Sequence, residues 1–220
     1  MILTDKTILE EIKQGSIVVH PCLVDALGTN SIDLTLNKHF KTYVLSEGYL
    51  DCKKSNSYSE DIFPESGFIL KPGELYICST NEYTETHNHV PVLSGKSSLA
   101  RLGLSVHVTA GFGDVGFCGT WTLEITVVKP LKVYPNMPIA QISYETISEK
   151  PVIPYNKKKS AKYNNQRDAG VSKMNMNFDN NFEKSDFASK SKFIVYRNIT
   201  LGDTYVDNIC FEKSELLDRF

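Results

Sequence analysis

A strictly alternating run in the middle of the chain limits the fold more than any other feature. Residues 120–126 read TWTLEIT, and their apolar members are Trp121, Leu123 and Ile125. Because successive side chains of a strand point to opposite faces, this run predicts a strand with one buried face and one polar face. Glu124 lies on the polar face. The pattern therefore places a carboxylate where a pocket can form beside the sheet.

Short apolar runs separated by glycine and proline turns continue along the chain. One helix is predicted after Thr4, ending at Gly15, with an apolar stripe that includes Ile8. Residues 31–36 alternate and are expected to form a hairpin with 40–45, whereas the Ser-rich stretch 52–65 is expected to be a loop. Many short strands with little helix predict a mainly β fold, a barrel or a jelly-roll-like sandwich.

Composition excludes several classes of protein. The 220 residues suit one domain, 41% of them are hydrophobic, and the formal net charge is −2. No apolar run approaches the length of a membrane span, and the balance of charge gives no overall attraction to nucleic acid or to a membrane. We therefore expect a cytoplasmic protein with neither as a partner.

Cysteine and histidine spacing argues against a metal site. The five cysteines are scattered at positions 22, 52, 78, 118 and 210 without a CxxC pair, so reduced thiols are expected. His87 and His89 lie in the segment THNH, which is more typical of a polar loop than of a metal centre. We expect no protein-bound metal.

Residues 94–124 hold the densest cluster of small, basic and hydroxyl side chains. Gly95-Lys96-Ser97-Ser98 combines a tight turn, a cation and two hydroxyls, which suits an anion, although the P-loop pattern is absent. A solvated turn is an equally good interpretation of these four residues alone. Asp114 follows in a glycine-rich loop before the Glu124 strand, an arrangement typical of a ligand pocket.

These motifs together resemble the dCTP deaminases, which belong to a wider family with the trimeric dUTPases. The resemblance rests on GKSSLARLGL, on HVTAG and on D-x-G-F-x-G-x-x-T-L-E, and it reappears in the segment 155–173. The TLE run ending at Glu124 favours the deaminase branch. The resemblance implies a dUTPase-like distorted β-barrel or jelly roll with a few short helices.

The resemblance also implies roles for individual residues. Glu124 would move protons, Ser97 and Arg101 would hold the water and the glutamate, and the Ala110 carbonyl would position the water. Implied substrate contacts are Lys96, Ser97, Ser98, Arg101, Asp114, Thr122, Leu123, Tyr155, Lys162 and Gln166. Thr122 and Leu123 would contribute backbone to the base, and Asp114 would contact the sugar.

The implied reaction is hydrolysis of dCTP to dUTP and ammonia, supplying dUTP for dUMP and thymidylate synthesis. Zinc is not expected, because the H-x-E and P-C-x-x-C motifs of the zinc deaminases are absent. Magnesium is expected only as the partner of the nucleotide triphosphate. The resemblance further implies a homotrimer with shared active sites, dCTP and dUTP as ligands, and dTTP as an inhibitor.

Three alternatives stay open beside this interpretation. A bifunctional enzyme would carry dCTP on to dUMP and diphosphate; a dUTPase would lack deamination; an idle relative would only bind nucleotide. Lys96, Gly113 and Val115 depart from the family pattern, where arginine, an aliphatic residue and proline are usual. Gly113 and Val115 are expected to loosen the loop that carries Asp114. Because a loose loop would place a second water poorly, dUTP is the expected product.

The chain divides into three parts by composition. Residues 1–153 are expected to form the β-barrel core. Residues 154–192 are rich in Lys and Asn, and the resemblance makes them a segment that closes over the nucleotide and becomes ordered with it. Residues 193–220 extend beyond the resemblance, have no assignable role, and are expected to contain one strand and a short terminal helix.

Overall fold

An eight-stranded sheet forms the body of the protein in this computed structural model, which describes residues 1–22, 24–179, 193–196, 199–201, 204–206 and 209–212. The described elements, in chain order, are α1 (Asp5–Lys13), β1 (Ile17–His20), β2 (Ile32–Tyr43), β3 (Tyr58–Ile62), β4 (Phe68–Leu70), β5 (Tyr76–Thr86), β6 (His89–Gly95), α2 (Ser97–Ala100), β7 (Leu104–Ser105), β8 (Cys118–Val127), β9 (Leu131–Val133), β10 (Pro138–Thr146), β11 (Phe193–Tyr196), β12 (Ile199–Leu201), β13 (Thr204–Val206) and β14 (Ile209–Glu212). Short 3₁₀ turns lie at Val24–Ala26, Tyr155–Lys157 and Met174–Phe178.

The sheet runs in the order β6-β10-β2-β5-β8-β7, with β1 also pairing with β5 and β3 with β2. Its strand pairings are antiparallel, and β4 and β9 form a separate antiparallel pair. The long strands β2 and β5 each have three partners on the sheet and carry register shifts that curve the layer. The predicted mainly β, barrel-like fold with few helices is confirmed.

The alternation predicted in β8 is present and builds the core. Leu123 and Ile125 are fully buried and Trp121 is nearly so, whereas Thr122 and Glu124 are partly exposed on the other face. Burying one large aliphatic side chain contributes about 1.5–3 kcal/mol, so this face anchors the strand in the barrel. The polar face is left for the site described below.

The predicted first helix is also present. It begins at Asp5, Ile8 is fully buried on its inner face, and Gly15 beyond its end has a φ of 73°, a left-handed conformation that favours glycine. Thr4 is the N-cap residue: its carbonyl accepts the Ile8 N–H at 2.8 Å, although its side chain makes no capping hydrogen bond. In the described part of the chain, no helix has the length and apolar character needed to cross a membrane.

Two local predictions in the first third are wrong. Residues 31–45 do not form a hairpin, because β2 is one continuous strand from Ile32 to Tyr43. The stretch 52–65 is not wholly a loop, since it contains the exposed edge strand β3, which pairs with β2. In the first case a long strand with a register shift between Leu36 and Phe40 resembled two shorter strands in sequence.

The C-terminal extension contains more strand than predicted. β11 pairs with β14 and β12 with β13, both antiparallel, where the sequence predicted a single strand. The four residue pairs between β11 and β14 and the three between β12 and β13 continue one register. In every pair the two residue numbers add up to the same value. The predicted terminal helix lies outside the described residues. So does the part of the closing segment beyond residue 179.

Candidate active site

Glu124, the carboxylate predicted to move protons, lies on the partly exposed face of β8. Ile77 of β5 is the cross-strand neighbour of Glu124, and both line one cavity. The cavity has a volume of about 520 Å³, which suits a small organic ligand. Its walls are formed by Tyr43, Leu75, Ile77, Ala110, Phe112, Gly113, Asp114, Phe117, Trp121, Thr122, Glu124, Tyr155, Tyr163, Gln166, Gly170 and Ser172.

The environment of Glu124 changes its acidity. Burial raises the pKa of the Glu124 carboxyl above its ordinary value of 4.5, and this effect exceeds the opposing effects of the residue's own backbone N–H and of His107. A carboxyl group with a raised pKa accepts and returns protons more readily near neutral pH. Glu124 therefore has the position and the acidity of a proton carrier.

The loop 110–114 brings Ala110 and Asp114 to the same cavity. Gly113 donates its N–H to the Pro91 carbonyl at 2.9 Å, and a Cβ there would meet the Trp121 ring at 2.5 Å. On the far side, the Val115 carbonyl accepts the Tyr155 N–H at 2.8 Å. The loop is thus attached to the barrel at Gly113 and to the closing segment at Val115; that these two residues loosen it stays a prediction.

Gly111 in the same loop leaves no space for a side chain. A Cβ at this position would lie 2.5 Å from the Leu93 carbonyl and 2.6 Å from the His107 ring. That ring lies against the same carbonyl, with 3.0 Å between His107 Nε2 and the Leu93 oxygen. A larger residue at Gly111 would displace His107, whose charge also acts on Glu124.

Residues 166–170, here called the wall segment, cover one side of the cavity. Gln166 donates its Nε2 to the Thr120 carbonyl at 2.7 Å and to Thr122 Oγ1 at 3.1 Å. Gly170 donates its N–H to the same Thr122 oxygen at 2.9 Å. The Gln166 backbone also accepts the Thr120 N–H at 3.0 Å. The wall segment is thus attached to β8 two residues before Glu124.

Tyr155 and Lys162 occupy different positions around the cavity. Tyr155 lines it, and its pKa is raised mainly by burial, with a further contribution from the Asp114 carboxylate. Its hydroxyl accepts the Tyr163 N–H at 3.1 Å. Lys162 is not among the described lining residues, and its ammonium donates to Asn177 Oδ1 at 2.6 Å. The structure describes residues 155–179 packed on the barrel; that their ordering depends on nucleotide stays a prediction.

The GKSS turn lies away from this cavity. Among the described residues, the lining includes none of Lys96, Ser97, Ser98 and Arg101. Lys96 forms an ion pair with Asp33 of β2, with 2.5 Å between Nζ and Oδ2. Arg101 is exposed and donates to the Ser97 carbonyl at 3.2 Å. Leu123 is likewise absent from the described lining, because its side chain belongs to the core.

Large apolar side chains are exposed close in sequence to both parts of the predicted site. Leu102 and Val128 are 57% and 72% exposed, and Val108 and Phe112 are 81% and 69% exposed. These side chains follow, flank or lie in the GKSS turn, the loop 110–114 and strand β8 in the sequence.

The histidines near the start of β6 pair with carboxylates instead of gathering at one point. His87 Nε2 lies 2.9 Å from Glu85 Oε2, and His89 Nε2 lies 3.1 Å from Glu11 Oε2. Within the part of the chain that the structure describes, no three His, Cys, Asp or Glu side chains are grouped as metal ligands would be.

Apart from Tyr155, sequence reasoning did not identify the aromatic side chains of the cavity. Tyr43, Phe117, Trp121 and Tyr163 all line it, and the Phe117 and Trp121 rings lie 4.6 Å apart. Trp121 was assigned to the core face of β8, which is correct, yet the ring also reaches the cavity. Apolar periodicity has the same form for a core residue and for a cavity wall, so no sequence signal distinguished the two.

Comparison with known proteins gives the family. Residues 2–147 match the family model described as dCTP deaminase-like. A protein of Cytophaga hutchinsonii named "dCTP deaminase, dUMP-forming" is 51% identical over 156 residues, covering 70% of this chain and 87% of that protein. Proteins of the same name from Clostridium botulinum Eklund 17B and Leptospira biflexa are 44% and 50% identical, covering 81% and 67% of this chain and 99% and 83% of theirs.

A solved structure has the same fold. The crystal structure of 2'-deoxycytidine 5'-triphosphate deaminase from Agrobacterium tumefaciens superposes with a TM-score of 0.51 at 20% identity, over 66% of this chain and 48% of that one. Together with the family model, which covers well over half of the chain, these matches confirm the resemblance found in the sequence: the chain belongs to the dCTP deaminase-like family.

Proposed function

We propose that this protein hydrolyses dCTP in two steps, first to dUTP and ammonia and then to dUMP and diphosphate. The observation that carries the proposal is the half-buried Glu124 carboxylate in a cavity of about 520 Å³ that also holds Asp114. Support for the substrate comes from the relatives, which are named dCTP deaminases at 44–51% identity.

Deamination needs one water and one group that moves protons. Glu124 takes a proton from the water as its oxygen attacks C4, and passes this proton to N3. The new C4 hydroxyl then gives its proton, through Glu124, to the amino group. The C4–N bond breaks, ammonia leaves, and a carbonyl remains at C4. A positioned acid–base group contributes about 10²–10⁴-fold, and the Ala110 backbone in the cavity wall would orient the water.

The second step would hydrolyse the triphosphate of the bound product. A second water attacks the α-phosphorus, the bond from it to the β-phosphate oxygen breaks, and diphosphate leaves. Asp114 and Glu124 both line the cavity, so one carboxylate is available for each water. Magnesium would arrive as the partner of the triphosphate.

The preference for dUMP over dUTP reverses the expectation from sequence. The relatives are named dUMP-forming, and the loop that carries Asp114 is attached on both sides, through the Gly113 N–H and the Val115 carbonyl. Gly111 keeps the same loop close to β6, because a Cβ there would meet the Leu93 carbonyl oxygen at 2.5 Å.

We further propose that the active unit is a homotrimer in which Lys96, Ser97, Ser98 and Arg101 of one copy complete the cavity of the next. The supporting observations are the separation of this turn from the cavity within one chain and the exposed apolar side chains near both. Light scattering should give about three times the mass of the 24.7 kDa chain.

A time course with dCTP and magnesium tests the reaction. We expect ammonia and diphosphate to appear at the same rate, with dUMP as the nucleotide product and no accumulation of dUTP. Ammonia release with stoichiometric dUTP would restore the single-step reaction. Release of diphosphate from dUTP without any ammonia from dCTP would identify a dUTPase.

A further inference from the structure

We propose that Lys41 is a positioning residue: it holds the wall segment, residues 166–170, against the barrel and thereby sets the shape of the nucleotide cavity. The inference rests on the proposed function for its substrate. Lys41 is not among the described residues that line the cavity, so it acts through the segment it holds.

Lys41 is a largely buried cation near the end of β2. Its side chain is 12% exposed, and Nζ lies 2.8 Å from the Ala169 carbonyl oxygen and 3.4 Å from Asp168 Oδ2. Glu60 of the edge strand β3 provides a second carboxylate at 3.8 Å. A long side chain is ordered at an entropic cost, so this geometry requires several favourable contacts to persist.

Lys41 binds two adjacent residues of the wall segment, Asp168 and Ala169. Ala169 is buried, and its carbonyl needs a donor that the barrel supplies through Lys41. Asp168 Oδ1 accepts the Ala169 N–H at 2.7 Å and the hydroxyl of the fully buried Ser79 at 3.5 Å. One ammonium thus joins β2 to a backbone carbonyl and a carboxylate of the segment.

The effect of this contact reaches the cavity within one residue. Gly170 follows Ala169 directly, and its N–H donates to Thr122 Oγ1 at 2.9 Å, the same oxygen that Gln166 Nε2 reaches at 3.1 Å. Thr122 shares the cavity with Glu124. If the Ala169 carbonyl loses its donor, both contacts to Thr122 are loosened, and the wall beside Glu124 with them.

A second contact fixes the wall segment at Arg167, between Gln166 and Asp168. The Arg167 guanidinium lies 3.9 Å from the centre of the Tyr83 ring, a cation–π contact. The Tyr83 hydroxyl donates to Glu85 Oε1 at 2.9 Å, and burial together with this carboxylate raises the pKa of Tyr83 to about 12. The ring is therefore neutral and fixed at working pH. Lys41 of β2 and Tyr83 of β5 thus both hold the wall segment.

The test compares Lys41→Met with Lys38→Met, an exposed lysine on the same strand. Lys41→Met should raise KM for dCTP about tenfold while kcat changes by less than about twofold, as expected for the loss of one charge-assisted hydrogen bond away from the reacting atoms. Lys41→Arg should restore most of the affinity, and Lys38→Met should behave as the wild type.

Two further measurements separate positioning from a general loss of stability. Amide hydrogen exchange at Ala169 and Gly170 should accelerate about tenfold in Lys41→Met, while exchange in β8 stays as in the wild type. Binding of deoxycytidine should weaken as much as binding of dCTP, because the wall segment meets the cavity at Thr122 near Glu124. Unchanged exchange and KM, or an effect confined to the triphosphate, would overturn the proposal.

If Lys41→Met does not fold, Arg167→Gln tests the same segment from its other contact, with about a threefold rise in KM and faster exchange at Gly170. Wild-type protein that releases no ammonia from dCTP would refute the proposed function instead. Hydrogen exchange needs no turnover, so it would still decide the role of Lys41.

Discussion

Two regions carry the predicted site, and the structure treats them differently. The cavity region, formed by the loop 110–114, strand β8 and the wall segment, brings Ala110, Asp114, Thr122, Glu124, Tyr155 and Gln166 to one cavity. The turn region, residues 96–101, lies elsewhere in the same chain and directs its exposed side chains outward. A motif set that is continuous in sequence therefore does not form one continuous site in one chain.

The two regions also differ in charge, and this difference gives the separation a meaning. The cavity region contributes the carboxylates Asp114 and Glu124, which would repel a triphosphate. The turn region contributes Lys96 and Arg101, which would attract one. Neither half alone suits a nucleoside triphosphate, whereas in the proposed trimer the two together would provide the proton carrier and the cations.

The largest expected effect comes from the cavity region. Glu124→Gln keeps the size and the hydrogen bonding of the side chain but removes its ability to accept a proton, so kcat for deamination should fall by about 10²–10⁴-fold. Binding of dCTP, measured by calorimetry, should survive. Glu145→Gln, at an exposed carboxylate of β10, is the control and should retain full activity. Near-normal turnover by Glu124→Gln would exclude it as the proton carrier.

Mixing two inactive variants tests whether the regions meet between copies. Glu124→Gln damages only the cavity region, and Arg101→Ala damages only the turn region. If each site takes one region from each of two neighbouring copies, a refolded equimolar mixture should recover about a quarter of wild-type activity, because one site in four combines two intact regions. If both regions act within one chain, the mixture should stay inactive.

The two regions also show how much the sequence can predict. Alternation identified β8 and the face that carries Glu124, because the period of a strand is a local property. The family motifs named Asp114 and Gln166, which do reach the cavity. The sequence could not show that Lys96 forms an ion pair with Asp33, sixty-three residues away, because this contact depends on tertiary packing.

Errors in the fold have a similar origin. The continuous strand β2 was predicted as a hairpin because a polar run, Asn37 to His39, interrupts its apolar pattern where the register shifts. Gly113 was expected to give flexibility, yet the Trp121 ring and Pro91 leave no space for any other residue there. Glycine has the same appearance in sequence when it provides freedom and when it permits close packing.

A smaller effect is expected at Lys162, which lies next to the cavity region. Lys162→Ala removes a cation next to the cavity region, so binding of dCTP should weaken about tenfold while binding of deoxycytidine, which lacks phosphates, stays nearly constant. Lys157→Ala, at an exposed position in the same segment, should change neither. Equal losses for both ligands would mean that Lys162 supports the fold of the segment and does not contact phosphate.

The smallest expected effect is on thermal stability. It measures the cost of burying the Glu124 carboxylate in the cavity region. Burial raises the pKa of Glu124 above 4.5, so the folded pKa exceeds the unfolded one. The carboxyl group therefore costs no stability below the unfolded pKa, and a penalty develops as the pH rises through the folded pKa. Glu124→Gln should unfold roughly 2 °C above the wild type at pH 8 and at the same temperature at pH 4.

Calorimetry of both proteins at the two pH values measures this difference, with Glu145→Gln as the control that shows none. A variant less stable than the wild type at pH 8 would contradict the inferred penalty. Adding Arg101→Ala to both proteins tests whether the turn region of a neighbouring copy lies near Glu124. If Arg101 of a neighbouring copy faces Glu124, its charge lowers the pKa of the carboxyl and reduces the penalty. Removal of Arg101 should then widen the difference in unfolding temperature between the proteins with and without Glu124→Gln at pH 8. An unchanged difference would mean that the two regions lie apart.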